Sequence, residues 1–213
     1  MNVVGINKYI RKREKKMYEN LINKLKTTTM LFSIQDAEEL ADDVLKDGGF
    51  YSLKGPTPIK AIANGFEIST YKEVNMPSEI SGNIYVGGNT KKIYGNNNVI
   101  IVGADEEYFH QRFIIAHELA HFLIDYLNKP EYRENPQRLF SMTYPKEGHD
   151  LIKESRADRF AAELLMPSHK FLNRYIYAME KSKYNRRYTI SYLSSYFEVK
   201  KTSIAKRIEE VIL

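Results

Sequence analysis

His117-Glu118-Leu119-Ala120-His121 is the stretch whose reading decides the fold. It sits inside an apolar, helically periodic run that we expect to form one helix from about Asp105 to Leu127. At about 3.6 residues per turn, positions four apart share a face, so both imidazoles can reach one metal ion while Glu118 stands beside a water on it. Phe109, Phe113, Ile115, Ala116, Leu119, Phe122, Leu123 and Tyr126 make this helix largely apolar apart from its histidine stripe. A helix of that kind belongs in a core. A pattern this short also arises by chance, so the reading needs a third ligand.

The chain offers one downstream, in Glu154-Ser155-Arg156-Ala157-Asp158-Arg159-Phe160-Ala161-Ala162-Glu163-Leu164-Leu165-Met166-Pro167. Glu154 and Asp158 are again four apart. One carboxylate can ligate the metal while the other, a turn on, accepts the free ring N–H of a ligating histidine, fixing its tautomer and raising its basicity. Glu154 is therefore the expected third ligand and Asp158 its outer partner. Glu163 and Asp150 are the alternatives on the same helix, but Glu163 has Pro167 four residues on, and Asp150 has only Glu154 itself. The metzincin spacing, His-x-x-Gly-x-x-His after the motif, is absent beyond His121.

Upstream of the motif the period changes. Phe66 to Tyr71, Gly82 to Val86 and Val99 to Val102 are short, rich in β-branched and aromatic residues, and separated by Gly and Asn clusters, so antiparallel strands are expected there. Turns fall at Gly87-Gly88-Asn89 and Gly95-Asn96-Asn97-Asn98. Further back, Gly55-Pro56-Thr57-Pro58 breaks the chain ahead of a short helix to Asn64 that Gly65 ends. Ser33 reads as the N-cap of a helix through Lys46, closed by Gly48-Gly49, and Ile6 to Lys26 reads as an amphipathic helix on the body. The fold class is α+β: a small antiparallel or mixed sheet packed on a buried motif helix, with helices at both ends.

Downstream, Asn128 to Lys146 reads as an irregular excursion with one strand at Leu139 to Met142. Asp150 is placed to cap the Glu154 helix, and Pro167 to stop it. In the tail, a helix from about Ile190 to Tyr196, a turn through Glu198-Val199-Lys200 and a helix from Thr202 have helix-turn-helix spacing, with Glu198 where a turn glycine is usual. A packing unit and a DNA contact are the two readings of that tail. The expected organisation is residues 1–50, N-terminal helices on the body; 51–168, the metal-binding unit; and 169–213, a basic helical tail.

Composition narrows the chemistry. The chain has no cysteine, so a metal must be held by histidine and carboxylate, and its 43% hydrophobic residues suffice for a core. No stretch approaches the roughly 20 apolar residues of a membrane span, and the expectation is a cytoplasmic protein without membrane contact. The net charge of +5 conceals a division: residues 1–26 carry 8 Lys and Arg against 2 Asp and Glu, residues 27–168 carry 14 against 21, and residues 169–213 carry 10 against 4. Basic ends flank an acidic middle, consistent with solvated helix faces or with an anionic partner.

The run Arg112-Phe113-Ile114-Ile115-Ala116-His117-Glu118-Leu119-Ala120-His121-Phe122, followed by the Glu154 to Pro167 block, resembles the ImmA/IrrE metallopeptidases over roughly Pro58 to Pro167. The resemblance implies a minimal zincin of the gluzincin type, with His117, His121 and Glu154 on zinc and Glu118 as catalytic base. It further implies an endopeptidase acting as an anti-repressor of a mobile element or stress regulon, cleaving a helix-turn-helix repressor. The competing expectation is a zinc-containing regulator that binds DNA or protein and has little peptidase activity. Tyr144, His149 and His110 are the available oxyanion donors. His110, about 10 Å along the helix from His117, is too far to ligate. Surface or packing roles are the alternative for His110, His149 and His169.

Overall fold

The structure is a computed structural model that describes residues 17–27, 31–77, 80–87, 89–130 and 150–212. Of the expected N-terminal helix it describes α1, Glu19–Thr27, with Met17 and Tyr18 before it; residues 1–16, the strand at Leu139 to Met142, Tyr144 and His149 lie outside the described residues. Helix α2, Ile34–Asp47, begins as expected at Ser33. Its hydroxyl accepts from the Asp36 N–H (3.1 Å) and the Asp36 carboxylate accepts from the Ser33 N–H (2.7 Å), a reciprocal cap. Ala37, Leu40, Ala41, Val44 and Leu45 form its buried stripe. Helix α3, Ile59–Gly65, follows the proline break.

Three strands come next: β1, Ile68–Glu73; β2, Gly82–Val86; and β3, Asn98–Gly103, in the spatial order β1-β3-β2. The expected antiparallel pairing holds for β2 with β3, but β1 pairs with β3 in parallel, Ile68 opposite Asn98. The correction has a physical cause. After β1 the chain crosses to the far edge before β2, so β3 returns into the gap between them and runs alongside β1. The unbroken run Val99-Ile100-Ile101-Val102 is what a strand covered on both faces requires, and all four are buried. Between β2 and β3, where two turns were expected, a short helix α4, Thr90–Tyr94, intervenes and ends at Gly95 in the left-handed region (φ 76°).

The motif helix α5, Tyr108–Ala120, packs on β2, β3 and α3. Gly82 is where the sheet comes closest: a Cβ there would lie 2.1 Å from Ile114 Cγ2, so no side chain fits. From His121 to Leu127 the same helix continues as a wider π-helical segment. Helix α6, Asp150–Leu165, lies against both α2 and α5. Pro167 separates it from α7, Ser168–Lys181. The tail forms α8, Arg186–Phe197, and α9, Lys201–Ile212, with Glu198 between them in the left-handed region (φ 54°, ψ 53°). Helix-turn-helix spacing is thus realised with glutamate at the glycine position. One hydrophobic core runs from Tyr18 through the sheet and α5 to Phe197 and Ile208.

Candidate metal centre

Helix α5 brings His117 and the following π-helical turn brings His121 to one place, facing α6, which supplies Glu154. His117 Nε2 lies 3.0 Å from Glu154 Oε2 and 3.1 Å from His121 Nε2, and His121 Nε2 lies 3.5 Å from Glu154 Oε1. Donors held about 2.0–2.1 Å from a tetrahedral ion stand about 3.3–3.4 Å apart, so these separations fit a single small ion. Among the described residues this is the only group of three or more His or carboxylate side chains able to hold one.

The outer face of each ring is fixed by a carboxylate. His117 Nδ1–H donates to Asp158 Oδ1 (3.0 Å), and His121 Nδ1–H to Asp125 Oδ2 (2.9 Å). With the ring protons there, both Nε2 lone pairs face each other and the Glu154 carboxylate. Three electron-rich donors at contact distance repel unless a cation or a proton sits among them. Without a metal, a proton takes that place. Burial opposes charge on His117, but the hydrogen bonds to Asp158 and Glu154 outweigh it and raise its pKa to about 10. His121 is raised against its burial by Asp125 and Glu154, and Glu154 is lowered, against its burial, by the two histidines.

Glu118 is 5% exposed, and its Oε2 is buried without a hydrogen-bond partner. An unsatisfied carboxylate oxygen is costly in a core and is characteristic of a group awaiting a proton donor. It is close enough to both histidines for its charge to raise them.

The residues singled out in the sequence are therefore gathered in one place: His117, Glu118, His121, Glu154 and Asp158. Others are held elsewhere. Glu163 accepts from the Ser168 N–H and hydroxyl (both 2.7 Å) and pairs with Arg207. His110 binds Glu106 (2.5 Å), and His169 stacks on Tyr51. Asp125 was missed, although the same four-residue step that selected Asp158 after Glu154 places it after His121. It is 1% exposed, with Lys129, Lys153 and Arg156 at 3.8–3.9 Å; burial opposes its charge, but His121, and after it Lys153 and Lys129, lower its pKa.

Residues 81–209 match the family described as IrrE N-terminal-like domain, Peptidase_M78. No curated protein matches the sequence. Among solved structures, a Mycobacterium tuberculosis transcriptional regulator shares the fold with a TM-score of 0.53 at 16% identity, over 92% of this chain and 50% of that one. The chain thus spans about half the length of that protein. None of the described helices is long and apolar enough to cross a membrane.

Proposed function

The chain belongs to the IrrE N-terminal-like domain family of metallopeptidases, and from that premise we propose that it is a zinc-dependent endopeptidase whose substrate is a helix-turn-helix repressor. His117, His121 and Glu154 hold the ion, Asp158 and Asp125 orient the two rings, and Glu118 is the base. The observation that carries this reading is the convergence of three donors beside a buried carboxylate oxygen without a partner. A purely structural site needs no such carboxylate.

Zinc bound there would supply Lewis acidity, acidifying water and polarising a peptide carbonyl. Glu118 takes a proton from the attacking water and later returns it to the leaving amine. Its buried setting keeps that proton from bulk solvent. Strand β2 is an edge strand beside α5, and an extended substrate segment can add to it by backbone hydrogen bonds. In this reading residues 51–168 form the catalytic unit, α2 buttresses α6 and α1 the π-helical segment, and residues 169–213 close the core.

A regulator that acts by binding is the second reading, favoured by the helix-turn-helix spacing of α8 and α9 and by the structural neighbour being a transcriptional regulator. Glu118→Gln separates the two, since it removes the base and leaves the imidazoles and Glu154 intact. Wild type and variant are co-expressed with a candidate helix-turn-helix repressor taken from the neighbouring reading frames, and repressor size is followed on a gel. The peptidase reading expects cleavage by wild type and a loss of roughly 10²- to 10⁴-fold in the variant. Derepression that persists undiminished in Glu118→Gln, with the repressor intact, would establish the binding mechanism instead.

A further inference from the structure

The loop Phe50–Pro58, α7 and the end of α8 enclose a groove of about 450 Å³ that none of the metal-centre residues lines. That volume lies within the roughly 300–1,000 Å³ of sites for small molecules. Three cations line it, Lys54, Lys170 and Arg174, and no acidic side chain does. Among the described residues none of the three is paired with a carboxylate. Asp42, close enough to His169 to sense its charge, is itself held by Lys46 (3.8 Å).

The cations are built in rather than scattered on the surface. The Arg174 guanidinium lies 4.6 Å and the Lys170 ammonium 5.8 Å from the centre of the Tyr196 ring. Lys170 also donates to the Gly55 carbonyl (2.6 Å), while the Gly55 N–H donates to the Tyr196 hydroxyl (3.4 Å). Gly55 has φ +103°, a conformation open to glycine, so the loop can make both contacts with its backbone. Burial and the neighbouring Arg174 charge lower the pKa of Lys170. Two cations crowded on one ring without an anion are an unfavourable arrangement that a bound anion relieves.

Flat faces complete the groove. Tyr51 and His169 stack at 4.1 Å with their planes 19° apart, and Tyr177 is 44% exposed. A cation cluster beside aromatic faces matches a ligand that is anionic at one end and planar at the other. We propose that this groove binds a nucleotide, either free or as the end of a single-stranded nucleic acid. Lys54, Lys170 and Arg174 receive the phosphate, and the base stacks on an aromatic face of the groove.

The experiment is calorimetric titration of the full chain with AMP, adenosine, inorganic phosphate and a 5′-phosphorylated oligo(dT). AMP should bind saturably, with adenosine and phosphate each about tenfold weaker or more, since each supplies one half of the recognition. Lys54→Gln and Arg174→Gln should each weaken AMP about fivefold or more. Among the described residues Lys54 makes no hydrogen bond or ion pair, so that variant tests the site even if Arg174→Gln destabilises it. Oligonucleotide binding at least about tenfold tighter than AMP, and displaced by AMP, would identify a nucleic-acid end as the source; equal affinities would identify the free nucleotide. Absence of saturable binding of both up to about 5 mM, adenosine binding as well as AMP, or AMP affinity unchanged by Lys54→Gln would overturn the proposal.

Discussion

Replacing Asp125 with Asn tests whether the outer carboxylates hold the two rings of the candidate metal centre in place. Asn keeps the volume and one acceptor but removes the charge that faces His121, Lys129, Lys153 and Arg156. Breaking one member of a buried charged cluster costs about 3–5 kcal/mol, and the retained shape puts this change at the lower end, about 3 kcal/mol. For a chain of this length each kcal/mol moves Tm by about 2–4 °C, so the metal-free variant should melt about 6–12 °C lower. The amide can also rotate its NH₂ toward Nδ1 and move the ring proton to Nε2, where a metal must bind. Loss of an outer partner lowers metal affinity about 10- to 100-fold, or about 1.4–2.7 kcal/mol.

Both quantities are accessible: melting of metal-free protein, and zinc affinity by competition with a chelating dye. The pH dependence gives a third check. Asp125 has a folded pKa below its unfolded value, so its contribution is fully present above the usual carboxylate range and is lost as pH falls through the folded pKa. The difference between wild type and Asp125→Asn should therefore shrink in acid. Zinc affinity within twofold of wild type, together with an unchanged Tm at pH 7, would refute the role assigned to Asp125.

Other predictions concern the remaining charges. Metal-free protein should lose stability as pH rises from about 6.5 to about 10, because raised histidine pKa values stabilise the fold only while the protons are bound. Calorimetry at pH 7 in buffers of different ionisation enthalpy should show zinc uptake releasing about one proton or more; a flat Tm profile and no proton release would disprove this. Arg207→Met strands Glu163, which keeps only its Ser168 donors, and should cost about 3–5 kcal/mol in urea unfolding. A loss below about 1 kcal/mol would mean that α9 is not integral to the core.

Local signals in the sequence located the three strands and most of the described helices, but not α4, Thr90–Tyr94, or α7, Ser168–Lys181, because the located ones are each written in a few neighbouring residues. Ser33 with Asp36 gives a start, Gly65 and Pro167 give stops, and the spacing of His117 and His121 gives a shared face. What escaped notice depends on residues far apart. The parallel partner of β1 is β3, and nothing inside Ile68–Glu73 reveals which edge β2 will take. The shift from α- to π-helical winding at His121 has no residue signature here. The site is legible for the opposite reason: a metal demands donor types that are rare on an apolar helix, so His117, Glu118, His121, Glu154 and Asp158 stand out against their surroundings. Asp125 was equally legible in principle, but an acid at the end of a buried helix invites the default reading of a solvated terminus.

Glu198 shows how the tail and the site become one structure. In the sequence it counts against helix-turn-helix geometry, because a left-handed turn favours glycine by roughly 1 kcal/mol or more. The backbone nevertheless adopts that conformation, and Arg112, in the first half of the motif helix, explains why. Its Nε donates to the Glu198 carbonyl (3.1 Å), its guanidinium faces the Glu198 carboxylate (3.4 Å), and it also donates to the Thr57 carbonyl (2.8 Å). Tyr108, from the first turn of the same helix, adds a bond to the carboxylate (3.0 Å). Contacts of this kind, each worth about 0.5–1.5 kcal/mol, together match the cost of the turn. At the other end of the tail, Arg207 reaches the C-terminal part of α6 through Glu163 and the Met166 carbonyl. The two helices that face each other across the candidate metal centre are thus each tied to the same helical pair, α5 at its turn through Glu198 and α6 at its second helix through Arg207.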